Sequence, residues 1–167
     1  MKLQNRKLLL CFLGFILLFC QLNQTKADNK TLTDVNGWFK IKQIAKKVWQ
    51  IDDYGEDNIY LVEGENKALL IDTGLGVTDL KKIVETITPL PLIVVNTHGH
   101  PDHMGGNFQF TKVFAHPSDL GLIQYFSSKA YHQSTIENAT KNNPELASSF
   151  IQSIDAYKET SIVPVKA

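Results

Sequence analysis

Cysteine is almost missing from this chain. There are 2 among 167 residues, Cys11 and Cys20, and both fall within the first 20 positions. A disulfide framework is therefore excluded for everything downstream, and so is a thiolate metal cluster. An excess of either charge is also missing, with 17 basic against 17 acidic residues. The one basic cluster, Lys40, Lys42, Lys46 and Lys47, alternates with Ile41 and Ile44 as the solvated face of a strand would, so no nucleic-acid partner is implied. No apolar run reaches the ~20 residues that a membrane-spanning helix needs. Low-complexity tracts and repeats of solenoid period are absent as well.

The longest apolar run, Leu8 to Phe19, follows Lys2, Arg6 and Lys7 and precedes a polar segment ending Thr25-Lys26-Ala27. This order reads as a secretory signal over residues 1–27, which predicts a secreted or periplasmic protein that meets a membrane only during export. Lipoprotein anchoring through Cys20 is the weaker alternative, because Phe19 is too bulky for the position before a lipidated cysteine. Cleavage after Ala27 removes both cysteines. It also leaves 13 basic residues against 17 acidic ones, a net charge of −4. Residues 28–167 have the length of one domain with a sizeable core.

Along that domain, Trp38 to Ala45, Val48 to Ile51, Ile59 to Val62 and Ala68 to Ile71 read as an antiparallel meander. The continuous apolar character of the last strand predicts burial on both faces, with Asp72 emerging at its end. Thr78-Asp79 caps a helix carrying Leu80, Ile83, Val84 and Ile87 at helical spacing, stopped by Pro89 and Pro91. Strands follow over Leu92 to Val95 and Lys112 to Ala115. Ser118 to Lys158 reads as helical, and Tyr125, Tyr131 and His132 are candidates for lining a pocket there, weighed against ordinary core or surface roles.

The chemistry concentrates after Val95. Residues 98–103 hold three of the chain's five histidines together with Asp102. Periodicity of two in an extended chain predicts that His98, His100 and Asp102 leave a loop toward one side, with Gly99 easing the turn and Pro101 keeping His100 out of the helical region. Core packing does not ordinarily gather imidazoles in this way, so the residue types point to metal binding through nitrogen and carboxylate.

Thr97-His98-Gly99-His100-Pro101-Asp102-His103-Met104-Gly105-Gly106-Asn107 resembles the His-x-His-x-Asp-His-x-Gly-Gly signature of the metallo-β-lactamase superfamily, and Leu70-Ile71-Asp72-Thr73-Gly74 matches its other early landmark. The resemblance implies an α/β fold, the metallo-β-lactamase-like αββα sandwich, of which the amino-terminal half is expected here, as a mixed sheet with flanking helices and a helical insertion near 118–158. It implies that His98 and His100 hold one metal, Asp102 and His103 a second, and that Asp72 stands behind the ligands. His103 resembles the thioesterase, lactonase and broad hydrolase branches more than the β-lactamases that have no histidine there. His116, at the end of a later strand, is left out of the ligand set.

The function implied is a secreted metal-dependent hydrolase, with two Zn2+ in the complete domain, or iron or manganese in their place. A metal-held hydroxide, oriented by Asp102, would attack an ester, thioester, lactone or amide-type bond of a small-molecule substrate. Relatives complete the site from their second half with a third histidine, a bridging carboxylate and a last histidine, so this chain is expected to be a truncated one. A non-catalytic metal-binding remnant and an iron-dependent oxygenase-type relative stand as alternatives. Oligomeric state is not readable from the sequence.

Overall fold

The structure, a computed structural model, describes residues 31–33, 37–146 and 160–165. The export signal over 1–27 and the helical reading of 147–158 lie outside these residues. Among them, eight strands form one mixed sheet in sequence order: β1 (Thr31–Thr33), β2 (Phe39–Ala45), β3 (Val48–Asp53), β4 (Asp57–Glu63), β5 (Ala68–Ile71), β6 (Leu92–Val95), β7 (Lys112–Ala115) and β8 (Ser161–Pro164). Pairing is antiparallel from β1 to β5 and parallel from β5 to β8. The architecture is thus α/β, and the meander and the parallel strands follow the sequence reading.

Alternation decides which face is covered. Ile41, Ile51, Ile59, Leu61, Leu70, Val94 and Val113 point to one side and are buried there. Helix α1 (Leu80–Ile87) closes that side with Leu80 and Val84, one turn apart and fully buried. Each such side chain contributes about 1.5–3 kcal/mol relative to leaving it exposed. The helix begins where Asp79 accepts a hydrogen bond from Lys82 N at 2.9 Å, and it ends at Thr88, before Pro89. Ile136 of a later helix joins the same core.

Ile44 is exposed, on the same face of β2 as Lys40 and Lys42. One expectation is corrected here. Strand β5 is not buried on both faces: Ala68 and Leu70 are buried, whereas Leu69 and Ile71 are only half-buried. Ile71 belongs to a row running through the paired residues Tyr60, Ile71, Val95 and Phe114, all half-buried.

The parallel half places loops where chemistry can sit. A parallel sheet sends its strand ends to one edge, and there β5 is followed by Asp72 and β6 by Asn96. Antiparallel β4 begins at that same edge with Asp57. Past β6 come a one-turn helix α2 (Pro101–Met104), then α3 (Leu120–Phe126) and α4 (Lys129–Asn142). No helix among the described residues is long and apolar enough to cross a membrane.

Candidate metal centre

The histidine-rich segment is bent after β6 and then turns helical. His100 keeps the extended backbone (φ −78°, ψ 150°) that precedes a proline, and Pro101 opens α2 at its first position. The expectation of a wholly non-helical loop is corrected accordingly. Asp102 and His103 stand on a helical turn, because proline's fixed φ seeds that turn and its missing N–H costs nothing there. The three rings still converge, the centroids of His98 and His103 lying 4.0 Å apart and those of His98 and His100 4.8 Å apart.

Close backbone contact holds α2 in place. His103 O accepts hydrogen bonds from Thr73 N (2.8 Å) and Asn96 Nδ2 (3.1 Å). Asn107 Nδ2 donates to Asn96 Oδ1 at 2.8 Å, and Thr73 Oγ1 donates to Asn107 Oδ1 at 2.9 Å. The loop after Asp72 and the loop after His103 touch through glycine: a Cβ at Gly76 would overlap the Gly105 carbonyl, and one at Gly106 would overlap the Thr73 carbonyl. On the other side, Gly99 N donates to Asp119 Oδ1 at 3.2 Å, and a Cβ at Gly99 would meet Leu122 Cβ at 2.8 Å.

Asp72 organises the buried side of the site. It is 3% exposed, and its left-handed backbone (φ +65°) turns the chain out of β5. Its Oδ1 accepts from Thr97 N at 2.7 Å, its Oδ2 accepts from Thr97 Oγ1 at 2.7 Å, and His103 Nδ1 lies 3.0 Å from Oδ2. Thr97 Oγ1 is also 3.1 Å from His98 Nδ1. One carboxylate thus steers two rings, directly at His103 and through a hydroxyl at His98. Asp102, partly exposed on α2, brings Oδ2 to 3.4 Å from His103 Nε2.

Asp57 was not singled out in the sequence. Its Oδ1 lies 3.4 Å from His103 Nδ1, and Asp57, Asp72 and His103 gather their ligand-type atoms within 4.8 Å of one another. Burial pushes the Asp57 carboxyl above its usual range, and neighbouring Asp72 and Asp102 push the same way, against the opposing pull of His103. A signal was present. Asp57 precedes Ile59 and Leu61 at spacing two, so alternation places it on the buried face, where a carboxylate needs a partner.

Two groupings of donors therefore meet at His103. On the Nδ1 side are Asp57 and Asp72. On the Nε2 side is Asp102, and the His98 and His100 rings lie nearby. The donor chemistry fits a metal on the second side: with Nδ1 committed to a carboxylate, Nε2 is the nitrogen left to bind, the usual pairing behind a ligating histidine. Imidazole nitrogen and carboxylate oxygen without sulfur suit zinc, iron or manganese.

The remaining candidates fall elsewhere. His116 Nδ1 accepts from Ser118 N at 3.2 Å, capping a short 3-10 turn. A cavity of about 430 Å³ lies behind α2, between it and helices α3 and α4, walled by Met104, Phe108, Ile123 and Phe126 and including Tyr131 and His132. It touches Pro101 and Met104 but none of the clustered histidines. Tyr125 is 72% exposed and is not among its walls, so of the two roles weighed for it, it takes the surface one. His132 is buried against Phe108 with ring centroids 4.6 Å apart.

Residues 53–156 match the metallo-beta-lactamase superfamily, and the chain belongs to it. It is similar to acyl-coenzyme A thioesterase MBLAC2 of Homo sapiens, 30% identical over 103 residues covering 52% of this chain and 37% of that protein. The Gallus gallus protein of the same name is 31% identical over 100 residues, covering 52% and 36%. The chain thus spans little more than a third of the length of these curated relatives. Among solved structures it is similar to a metallo beta lactamase from Erythrobacter litoralis with beta mercaptoethanol in the active site (26% identity, TM-score 0.45, 57% of this chain and 48% of that one). It is also similar to the DIM-1 metallo-beta-lactamase exposed to ceftazidime (18% identity, TM-score 0.45, the same shares).

Proposed function

We propose that the chain is the metal-holding part of an exported metal-dependent hydrolase acting on an acyl compound, with a thioester as the first substrate class to test. The observation that carries the reading is the convergence of His98, His100 and His103 beside Asp102 while Asp72 occupies the Nδ1 of His103. The thioester preference draws support from the named activity of the MBLAC2 relatives.

In this reading His98 and His100 hold one metal, and Asp102 and His103 hold the other, with zinc as the expected ion. Bound zinc supplies positive charge that polarises a carbonyl group and acidifies water. The chain's own groups do the rest. Asp72 keeps the His103 proton on Nδ1 and steers the His98 ring through Thr97. Asp102, accessible on α2, orients the nucleophile. The glycines on both sides of α2 allow the close backbone packing that fixes these side chains within the tolerance a reactive site needs.

Elemental analysis of the purified chain tests the metal assignment. His98→Ala and His100→Ala should deplete one metal position, and Asp102→Ala and His103→Ala the other. Unchanged content in all four variants would make the rings structural. Release of free thiol from a short acyl-coenzyme A, measured on the whole protein, tests the substrate class; iron in the purified protein with oxygen uptake would point to oxidation instead.

A further inference from the structure

Asp57 sits where a carboxylate is hard to accommodate. The residue is 9% exposed, and among the described residues its Oδ2 has no hydrogen-bond partner. Its Oδ1 accepts from Asn58 N at 2.6 Å and lies 3.4 Å from His103 Nδ1. Burying a carboxylate with an oxygen left unmade is unfavourable, and it is more so beside other carboxylates. Asp72 Oδ2 is 3.0 Å from the same Nδ1, and Asp102 Oδ2 is 3.4 Å from Nε2 of the same ring. A group retained under that penalty, held by β4 at the sheet edge, needs a compensating contact. The ring nitrogen it pairs with is one that Asp72 already serves.

The neutral imidazole has two tautomers. With the proton on Nδ1, the N–H donates to Asp72 Oδ2, its positive end faces the Asp57 carboxylate at 3.4 Å, and Nε2 carries a free lone pair. With the proton on Nε2, a lone pair on Nδ1 is pressed against two carboxylate oxygens. One carboxylate biases this choice; two make the second form strongly repulsive.

We propose that Asp57 is a positioning residue: with Asp72 it forms a two-carboxylate seat under His103 that holds the ring proton on Nδ1 and leaves Nε2 free. The tautomer follows from the three side chains alone. Its consequence for metal rests on the reading of His103 as a ligand given above.

The experiment uses the full chain, stripped of metal with a chelator and labelled with 15N, at alkaline pH. Ring nitrogen shifts should report the Nδ1–H form for His103 in the wild type, and a mixture with the Nε2–H form in Asp57→Asn, which keeps the side chain's shape. Zinc affinity should fall about 10-fold in Asp57→Asn, and that loss should vanish in a His103→Ala background. Asp57→Ser gives the same reading should the amide disturb folding. A His103 tautomer unchanged in both Asp57 variants would overturn the seat. A shifted tautomer with zinc binding insensitive to His98→Ala would support the seat while sinking the metal reading.

Discussion

Asp72 Oδ2 and His103 Nδ1 meet at 3.0 Å across 31 positions of sequence, joining the end of β5 to the helical turn that follows β6. Asp72 also accepts both Thr97 donors, and it does so from a left-handed backbone that asparagine tolerates and alanine does not. Asp72→Asn therefore keeps the backbone while removing the charge and turning one of the two accepting oxygens into an N–H donor. Zinc affinity should drop on the order of 10–100-fold, as removal of a carboxylate behind a ligating histidine does. Asp72→Ala should in addition lose about 2–4 kcal/mol of stability, through unmet donors and the strained φ. Zinc titration and urea unfolding read the two effects separately. Equal zinc affinity in wild type and Asp72→Asn would mean that the contact does not tune the ring.

The glycine contacts make a paired prediction. Gly37 and Gly76 share nearly the same φ, +74° and +73°, but among the described residues no atom lies within 4 Å of a Cβ at Gly37, whereas the Gly105 carbonyl blocks one at Gly76. Gly37→Ala should cost only the left-handed strain, about 1–2 kcal/mol. Gly76→Ala must also push α2 away from the Thr73–Gly76 loop, so it should cost more than about 3 kcal/mol and weaken zinc binding along with it. Urea midpoints that match between the two variants would show that the loop contact is loose.

Much of this arrangement was legible from residue order. The strands of the meander, the Asp79 cap and the parallel pair leading to the histidines all follow from local alternation, capping and helical spacing. Asp57 left only the alternation signal of its strand, and the partner of Asp72 was not legible, because pairing across 31 positions depends on sheet register and not on neighbours. Pro101 misled for a definable reason: the same residue that keeps His100 extended starts a helix after it, and only the second effect lifts Asp102 and His103 onto a turn. The half-buried Ile71 shows the converse limit. An apolar run states that a strand prefers burial, not that both its faces obtain it.

Export is tested by where the chain begins after processing. The basic, apolar, polar order of residues 1–27 predicts that protein recovered from the exported fraction starts at Asp28 or within a residue or two of it. Amino-terminal sequencing checks this, and replacing Leu13 and Leu17 by aspartate should hold the chain inside the cell by breaking the apolar run. Intact Met1 on soluble protein would defeat the assignment.

The last prediction concerns a buried acid away from the histidines. Asp53 ends β3 at 1% exposure, accepts hydrogen bonds from Trp38 Nε1 and from Leu75 N (2.6 Å), and so ties the sheet to the loop after Asp72. Burial raises its pKa from 3.8 to about 6, outweighing those two hydrogen bonds, which pull it down. The sign follows from proton counting. Below 3.8 the carboxyl is protonated in both the folded and the unfolded chain. Between 3.8 and about 6 the folded chain keeps a proton that the unfolded chain has lost, so stability falls as pH rises through that window and levels off above it. A rise of this size corresponds to roughly 2–3 kcal/mol. Asp57, raised in the same direction, adds to the same slope. Asp53→Asn carries no such proton and should flatten the curve of unfolding free energy against pH across the window, whatever its absolute stability. Urea titrations at closely spaced pH values decide the matter: a wild-type curve that rises from 3.8 toward 6, or a slope that Asp53→Asn leaves intact, would place the titrating group elsewhere.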